Sequence, residues 1–281
     1  MRHHQFHPLA NSKGLTLPSS KRNQTDLTIR DTPLIYFSAS DEVNSTIEMP
    51  TVVVTGANSE VGIGYAFANL LCDEGYTVYA VDRDHGEGLK SLESKVHTAV
   101  VDVTSPESIQ QFKESLGDVT VDILLNVAGV ASGPQADSLT TTNLDILQRT
   151  FAVNTYGPLL LTQALLPNVL KSTSPKIGIV SSRVGSIGDN STGGHYAYRS
   201  SKAAVNSIGK SMAMDLKDKG VVVMLLHPGF VRTNILPKES MPPEAVEADE
   251  AARKLWHNIV SKKGMEDTGK FWHREGFELP W

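Results

Sequence analysis

The chain has 281 residues, of which 40% are hydrophobic, and a formal net charge of −5, so it is long enough to bury one large core. Its acidic and basic residues are interspersed, which argues against a surface that binds nucleic acid. Its longest apolar runs are too short to span a membrane. Its single cysteine, Cys72, excludes a disulfide framework and favours a reducing compartment, for which we expect the cytoplasm.

The first 49 residues are polar, carry no hydrophobic period and contain no acidic residue before Asp26. They lack the apolar segment of a secretory signal. Their composition predicts a disordered extension. Basic and hydroxyl residues leave a mitochondrial transit peptide as the alternative. We therefore expect the catalytic domain to comprise residues 50–281.

From Pro50 onward, short apolar segments alternate with longer helical patterns. Strands are predicted at 51–55, 77–81, 96–101, 121–127, 176–182, 221–227 and 269–274. Helices are predicted at 64–75, 105–117, 141–170 and 196–220. Apolar strands that alternate with helices are typical of an α/β fold with a buried parallel sheet. Right-handed crossovers then give a single Rossmann-type domain, a doubly wound sheet with helices on both faces.

The turn after the first predicted strand is rich in glycine. In "TGANSEVGIG", Gly56, Gly62 and Gly64 would let the backbone approach a pyrophosphate at the N-terminus of the next helix. The spacing is longer than in the standard G-x-G-x-x-G pattern, and a turn without a ligand is the alternative. In a doubly wound sheet, however, ligands bind at the carboxyl ends of the strands, where this turn lies.

The second strand ends in two residues that favour different dinucleotides. Asp82 is placed to accept hydrogen bonds from an adenosine ribose and would repel a 2′-phosphate. Arg83 follows at once and suits that phosphate. Because the acid holds the more constrained position, we expect NAD(H), with NADP(H) as the alternative. A solvated charged turn is the interpretation without a ligand.

Polar or small residues also follow the third and fourth strands. Asp102 is placed either to reach an adenine amino group or only to begin the turn before the next helix. The segment "NVAG" (126–129) contains small residues that let the backbone pack closely against a ligand. Its alternative role is a tight turn between strand and helix.

A phenol and an ammonium lie one helical turn apart near the start of the helix 196–220. Tyr198 and Lys202 share one face of that helix, and Ser181 and Ser182 end the strand before it. A tyrosine beside a lysine is suited to protonating a carbonyl oxygen that accepts a hydride. An ordinary surface pair is the alternative for the two residues alone. Asn154 lies inside a predicted helix, where asparagine is unfavourable unless its polar group is used.

In combination, these motifs resemble the short-chain dehydrogenase/reductase family over residues 50–281. The segments 185–206 and 269–281 resemble its C-factor/sniffer-like carbonyl reductase branch. The chain departs from the family pattern by two extra residues between the first two glycines of the turn and by Val127 in place of an asparagine. The spacing from the serine to the tyrosine is three residues longer than usual.

The resemblance implies a catalytic tetrad. Tyr198 would be the general acid and base, Ser182 would donate to the developing alkoxide, and Asn154 would hold a water that passes protons to Lys202. Lys202 would lower the pKa of the phenol and bind the nicotinamide ribose. No metal site is implied. The implied cofactor contacts are Gly56, Asn58, Gly62, Ile63, Gly64, Asp82, Arg83, Asp102, Val103, Asn126, Ala128, Gly129, Tyr198, Lys202, Pro228, Gly229, Val231 and Thr233.

The activity implied is that of an NAD(P)(H)-dependent oxidoreductase that transfers hydride between nicotinamide and a carbonyl or alcohol. The segment 234–250 is short and contains three prolines, which favours small or flat substrates. A methyltransferase would share the glycine turn and the acid but would not need the Tyr-x3-Lys pair. A non-catalytic, nucleotide-binding regulator on the same fold is the other alternative. The family also implies assembly as a homodimer or a homotetramer.

Overall fold

The computed structural model describes residues 49–235 and 241–281. The disordered extension predicted for residues 1–49 therefore lies, apart from Met49, outside the described residues. The described part of the chain forms a seven-stranded sheet in the order β3-β2-β1-β4-β5-β6-β7, in which every pairing is parallel. The strands are β1 (Thr51–Thr55), β2 (Thr77–Asp82), β3 (His97–Val100), β4 (Ile123–Asn126), β5 (Lys176–Val180), β6 (Val222–His227) and β7 (Lys270–His273).

Helices cover both faces of the sheet. They are α1 (Ile63–Asp73), α2 (Glu87–Leu92), α3 (Pro106–Leu116), α4 (Leu144–Phe151), α5 (Gly157–Val169), α6 (Tyr196–Leu216) and α7 (Ala248–Leu255). Single 3₁₀ turns lie at Arg183–Gly185, Lys217–Lys219 and Met265–Asp267, and π-helical turns at Ala152–Tyr156 and Trp256–Val260. The predicted α/β class and the doubly wound parallel sheet are confirmed.

The central strands are apolar on both sides because each side faces a separate core. Every residue of β1, β4 and β6 is buried. Along β1, Val52 and Val54 pack with α1, whereas Val53 packs in the opposite core with residues of α5. The period-two geometry of a strand thus divides one valine run between two cores. This explains why the predicted strands show no alternation of apolar and polar residues.

Three features of the helices differ from the sequence prediction. The predicted helix 141–170 is divided by the π-helical turn Ala152–Tyr156, which contains Asn154. Helix α2 was not predicted because its six residues are too few to show a helical period. Helix α7 was not predicted because its eight residues carry four charged side chains and only a narrow apolar stripe. Among the described residues, no helix combines the length and the hydropathy that crossing a membrane requires.

The strand order reverses beside β1, which pairs with β2 on one side and with β4 on the other. A doubly wound sheet opens a crevice at this point, outside the carboxyl ends of the strands. Thr55, the last residue of β1, lies at this crevice. Its hydroxyl accepts hydrogen bonds from the main-chain N–H groups of Val127 and Ala128 at 2.9 and 3.0 Å. The turns after β1 and β4 are therefore held together.

Candidate active site

The glycine turn after β1 has no room for side chains at its key positions. Gly56 has φ +75°, and a Cβ there would lie 3.0 Å from the main-chain nitrogen of Ala128. A Cβ on Gly64 would lie 2.6 Å from the carbonyl carbon of Gly56, and one on Gly62 would lie 2.8 Å from the main-chain oxygen of Ser59. Helix α1, which starts at Ile63, receives no side-chain cap from the residue before it. The turn therefore presents backbone at a helix N-terminus, as a pyrophosphate site requires.

Asp82, at the end of β2, lies against this turn. Its carboxylate accepts hydrogen bonds from the main-chain N–H of Asn58 at 2.8 Å and of Arg83 at 2.7 Å. The Asn58 side chain reaches the other way and accepts a hydrogen bond from the N–H of Leu89 in α2 at 3.2 Å. Arg83 is exposed and pairs with Asp84 at 2.7 Å. Asp82 is thus fixed at the crevice, whereas the guanidinium of Arg83 lies at the surface.

Asp102 forms the turn before α3. One of its carboxylate oxygens accepts hydrogen bonds from the main-chain N–H and the hydroxyl of Thr104, at 2.8 and 2.7 Å. Its own N–H donates to the Ser108 hydroxyl at 3.0 Å. The neighbouring Val103 is buried and fills the space that a Cβ on Gly157 would need. These contacts favour the turn-forming role that was the alternative for Asp102.

The turn after β4 brings small residues next to Asn154 and Lys202. A Cβ on Gly129 would lie 3.4 Å from Oδ1 of Asn154 and 3.6 Å from Nζ of Lys202. Asn126 is buried, and its amide donates to the Thr162 hydroxyl at 3.4 Å. Ala128 is held by Thr55 as described above. The predicted segment 126–129 therefore lies between the glycine turn and Lys202.

Lys202 is buried at the centre of the site. Only 3% of the residue is exposed, and its ammonium donates to the main-chain carbonyl of Val180, the last residue of β5, at 2.9 Å. Burial lowers the pKa of Lys202 to about 8, because a low-dielectric environment disfavours the charged amine. The amine can therefore gain or release a proton near neutral pH.

Tyr198 lies one helical turn before Lys202, beside Ser182. Burial raises the pKa of Tyr198 to about 12, and the hydrogen bond from the Ser182 hydroxyl opposes that rise. This direction is opposite to the lowering that we expected from Lys202. The ammonium of Lys202 points to the Val180 carbonyl and lies 5.8 Å from the centroid of the phenol ring. Desolvation of the phenolate therefore outweighs its attraction to the amine.

Asn154 binds protein groups through both the oxygen and the nitrogen of its side-chain amide. Its oxygen accepts the N–H of Val130 at 2.8 Å, and its nitrogen donates to the carbonyl of Val130 at 2.9 Å and to the Ser201 hydroxyl at 3.1 Å. The expectation of a role for a polar group inside the helix is met, but the side chain clamps the chain after Gly129. The amide oxygen has a second lone pair, and the water that the resemblance implies for Asn154 stays a prediction.

The turn after β6 contains the predicted residues Pro228 and Gly229, with Gly229 at φ +75°. Val231 pairs with Val246 in an isolated bridge, and the Thr233 hydroxyl accepts the N–H of Ile235 at 3.4 Å. A space behind Gly229 is filled by the guanidinium of Arg274, whose Cζ would lie 2.7 Å from a Cβ at that glycine. The guanidinium of Arg274 therefore packs directly against this turn at Gly229.

Two residues that support this turn were not predicted. Arg274 is buried at the end of β7 and donates to the carbonyls of Pro228 at 2.6 Å and Phe230 at 3.3 Å. His227 accepts the N–H of Arg183, next to Ser182, at 3.2 Å through Nδ1. Burial and the neighbouring His273 lower the pKa of His227 to about 3, so its ring stays a neutral acceptor. The pairing of β6 with both β5 and β7 brings these groups together, and no local sequence pattern indicates it.

Comparison with known proteins identifies similar chains. The family model for short chain dehydrogenases matches residues 50–243. A 1-hydroxy-2-glutathionyl-2-methyl-3-butene dehydrogenase of Rhodococcus sp. (strain AD45) is 38% identical over 235 residues, which are 83% of this chain and 100% of the relative.

Solved structures of carbonyl reductases are similar as well. An NADPH-bound carbonyl reductase from chicken fatty liver has 29% identity and a TM-score of 0.73, over 84% of this chain and 100% of its own. The carbonyl reductase Sniffer of D. melanogaster has 27% identity and a TM-score of 0.73, over 83% of this chain and 100% of its own. The similarity thus spans the whole length of each of these proteins.

We predict that Gly64→Ala displaces the glycine turn, because the new Cβ would overlap backbone that cannot rotate away. The free energy of unfolding should fall by about 1–3 kcal/mol, and the affinity for a nicotinamide dinucleotide should fall about tenfold or more, equivalent to about 1.4 kcal/mol. Denaturant unfolding and a fluorescence titration of the reduced dinucleotide measure the two effects.

The matched control is Gly264→Ala, where a Cβ would lie 2.8 Å from the carboxylate of Glu266. That carboxylate ends a flexible side chain and can move, so this variant should retain its affinity. Wild-type affinity in Gly64→Ala would show that the close approach at the turn is unnecessary for binding.

Proposed function

The chain belongs to the short-chain dehydrogenase/reductase family, and from that membership we propose that Tyr198 is the general acid and base of its reaction. The protein is an oxidoreductase that uses a nicotinamide cofactor and acts on a small-molecule substrate. Three groups that lie together support this role: the phenol of Tyr198, the buried Lys202 one helical turn later, whose Nζ lies 5.8 Å from the centroid of the phenol ring, and the buried Ser182 just after β5.

The proton chemistry follows from the state of these groups. A pKa of about 12 keeps Tyr198 protonated at neutral pH, which is the form that donates a proton to a carbonyl oxygen. Ser182 would donate a second hydrogen bond to the same oxygen and stabilise the developing negative charge. Lys202, whose pKa is about 8, would exchange protons near neutral pH, and any transfer to the phenol would pass through an intervening group because the amine points to the Val180 carbonyl.

The residues present fit a dinucleotide. The backbone cradle at Gly56, Gly62 and Gly64 would hold its pyrophosphate, and the turn after β6, which includes Pro228 and Gly229, would hold its nicotinamide end. When bound, this cofactor supplies or accepts the hydride. The chain's contribution is to orient the substrate oxygen between Tyr198 and Ser182 and to supply the proton.

We propose NAD(H) as the preferred cofactor. Asp82 is fixed against the glycine turn by two main-chain N–H groups, so its negative charge stays where a ribose hydroxyl would bind and a 2′-phosphate would be repelled. Arg83 favours the alternative, NADP(H), and one of the similar carbonyl reductases is described as NADPH-bound. The guanidinium of Arg83 is exposed and pairs with Asp84 at the surface. Such an exposed ion pair contributes little stability.

We propose a carbonyl or alcohol substrate of small or flat shape and a catalytic domain of residues 50–281; residues 236–240 of the segment that motivated the substrate size lie outside the described residues. Dehydrogenase and carbonyl reductase relatives do not favour a non-catalytic regulator. Cytoplasmic location, with the mitochondrion as alternative, and assembly as a homodimer or homotetramer stay predictions.

Replacement of the proposed proton donor tests the function. Tyr198→Phe should lower kcat by about 10²–10⁴-fold, the usual contribution of general acid–base catalysis, while the Kd of the cofactor changes little. Oxidation of the reduced cofactor by a panel of ketones, followed by absorbance, measures the rate. Tyr196→Phe is the matched control, because Tyr196 is 43% exposed and has Ser200 at the corresponding lysine position. Equal rates in the two variants would refute the assignment.

Cofactor preference has its own test. The wild type should have a higher kcat/KM with NADH than with NADPH, and Asp82→Ala should shift the ratio toward NADPH about tenfold or more, equivalent to about 1.4 kcal/mol. Asp84→Ala removes a neighbouring acid that faces Arg83 instead of the glycine turn, so its effect on the ratio should be much smaller. A wild type that prefers NADPH, with no shift in Asp82→Ala, would mean that Arg83 sets the choice.

A further inference from the structure

Helix α6, which carries Tyr198 and Lys202, begins without a cap from the residue before it. His195 precedes the helix in the left-handed conformation, with φ 53° and ψ 48°, and its side chain makes no capping hydrogen bond. It is the only non-glycine residue with a positive φ in the part of the chain that the structure describes. A capping residue normally has an extended conformation. The first N–H groups of the helix therefore need an acceptor from elsewhere.

Asp137, about 60 residues earlier in the chain, supplies that acceptor. Its carboxylate accepts the N–H of Ala197 at 2.8 Å through one oxygen and the N–H of Tyr198 at 3.0 Å through the other. Its main-chain carbonyl accepts the N–H of His195 at 2.9 Å. The Thr142 hydroxyl completes the set by donating to the same carboxylate at 2.9 Å. The main-chain N–H groups of His195, Ala197 and Tyr198, around the helix start, are thus all bound to one residue.

Asp137 is buried, so its carboxyl oxygens need hydrogen-bond donors from the protein. Only 1% of the residue is exposed, and no salt bridge to its carboxylate is found in the described part of the chain. A buried carboxylate is unfavourable unless hydrogen bonds and nearby dipoles compensate it. Here three donors and the positive end of a helix of 21 residues provide that compensation. The observed start of α6 therefore satisfies both oxygens of this buried carboxyl group.

The position of Asp137 in the chain connects it to the cofactor turn. The segment 130–142 leaves Gly129, which lies beside Lys202, and its first residue, Val130, is clamped by Asn154. Asp137 then ties the same segment to the main chain of Tyr198. The segment is consequently anchored to residues of the proposed catalytic tetrad at Val130 and at Asp137.

We propose that Asp137 is a positioning residue for the reaction: by capping α6 from a distant loop, it fixes the main chain of Tyr198 relative to Ser182. The proposal rests on the proposed role of Tyr198. It concerns geometry alone, because the contacts of Asp137 are to main-chain N–H groups and to Thr142. Loss of the carboxylate should therefore impair turnover more than cofactor binding. A displacement of about 1 Å can lower a rate by about 10²-fold.

Kinetics of Asp137→Ala and Asp137→Asn provide the test, with the ketone that the wild type reduces fastest. We expect Asp137→Ala to lower kcat by about 10- to 100-fold, with the Kd of the cofactor changed by less than about twofold. Asp137→Asn preserves shape and one acceptor oxygen but turns an amide N–H toward a main-chain donor, so it should show a smaller loss of kcat. If Asp137→Ala fails to fold, Asp137→Asn carries the test.

A matched control separates positioning from general destabilisation. Ser105 caps α3 by accepting the N–H of Ser108 at 3.1 Å, and α3 carries none of the proposed catalytic residues. Ser105→Ala should lower the melting temperature but leave kcat near the wild-type value. A loss of kcat in the Asp137 variants no larger than in Ser105→Ala would overturn the proposal, as would a wild-type kcat in Asp137→Asn.

A double-mutant cycle distinguishes failure of this proposal from failure of the proposed function. If Asp137 acts through Tyr198, Asp137→Ala should cost much less in kcat when introduced into Tyr198→Phe. Equal losses in both backgrounds would overturn the positioning role while leaving the role of Tyr198 intact. A Tyr198→Phe variant with the wild-type kcat would instead refute the proposed function itself.

Discussion

Burial of the Lys202 ammonium is the constraint on which the rest of the site depends. A charged amine in a low-dielectric interior is unfavourable unless it is hydrogen-bonded, and here it donates to the carbonyl at the end of β5. The neighbours must approach closely to enclose it. A Cβ on Gly185 would lie 2.7 Å from the main chain of Lys202, and the turn at Gly129 lies on another side. Glycine at position 185 is therefore required for the close approach that buries the lysine, whereas a Cβ at position 129 would make only ordinary van der Waals contact.

The surrounding groups fix each other through main-chain contacts. Thr55 binds the turn after β4, Asn154 binds Val130, and Arg274 binds the turn after β6. In each case a polar side chain satisfies backbone groups of a neighbouring loop, so the loops are positioned independently of their own side chains. Catalysis benefits from such preorganisation because the donors need not reorient when charge develops.

The features predictable from the sequence are those with a local signature. The valine run of β1, the glycine turn and the spacing of Tyr198 and Lys202 each lie within a few consecutive residues. Asp137 and Arg274 have no such signature. Asp137 acts on residues about 60 positions away, and Arg274 reaches the turn after β6 only because β7 pairs with that strand. The direction of the pKa shift of Tyr198 could not be predicted from the sequence either. It depends on burial and on the direction in which the Lys202 amine points.

The most direct test of this account is an NMR titration of the side-chain nitrogen of Lys202 in the full-length protein, with the signal assigned by its loss in Lys202→Met. The account predicts a midpoint near pH 8, because the amine is desolvated and held by a single carbonyl. A midpoint near the ordinary lysine value of about 10.4 would mean that the amine is solvated. That result would contradict the buried lysine around which the site is arranged.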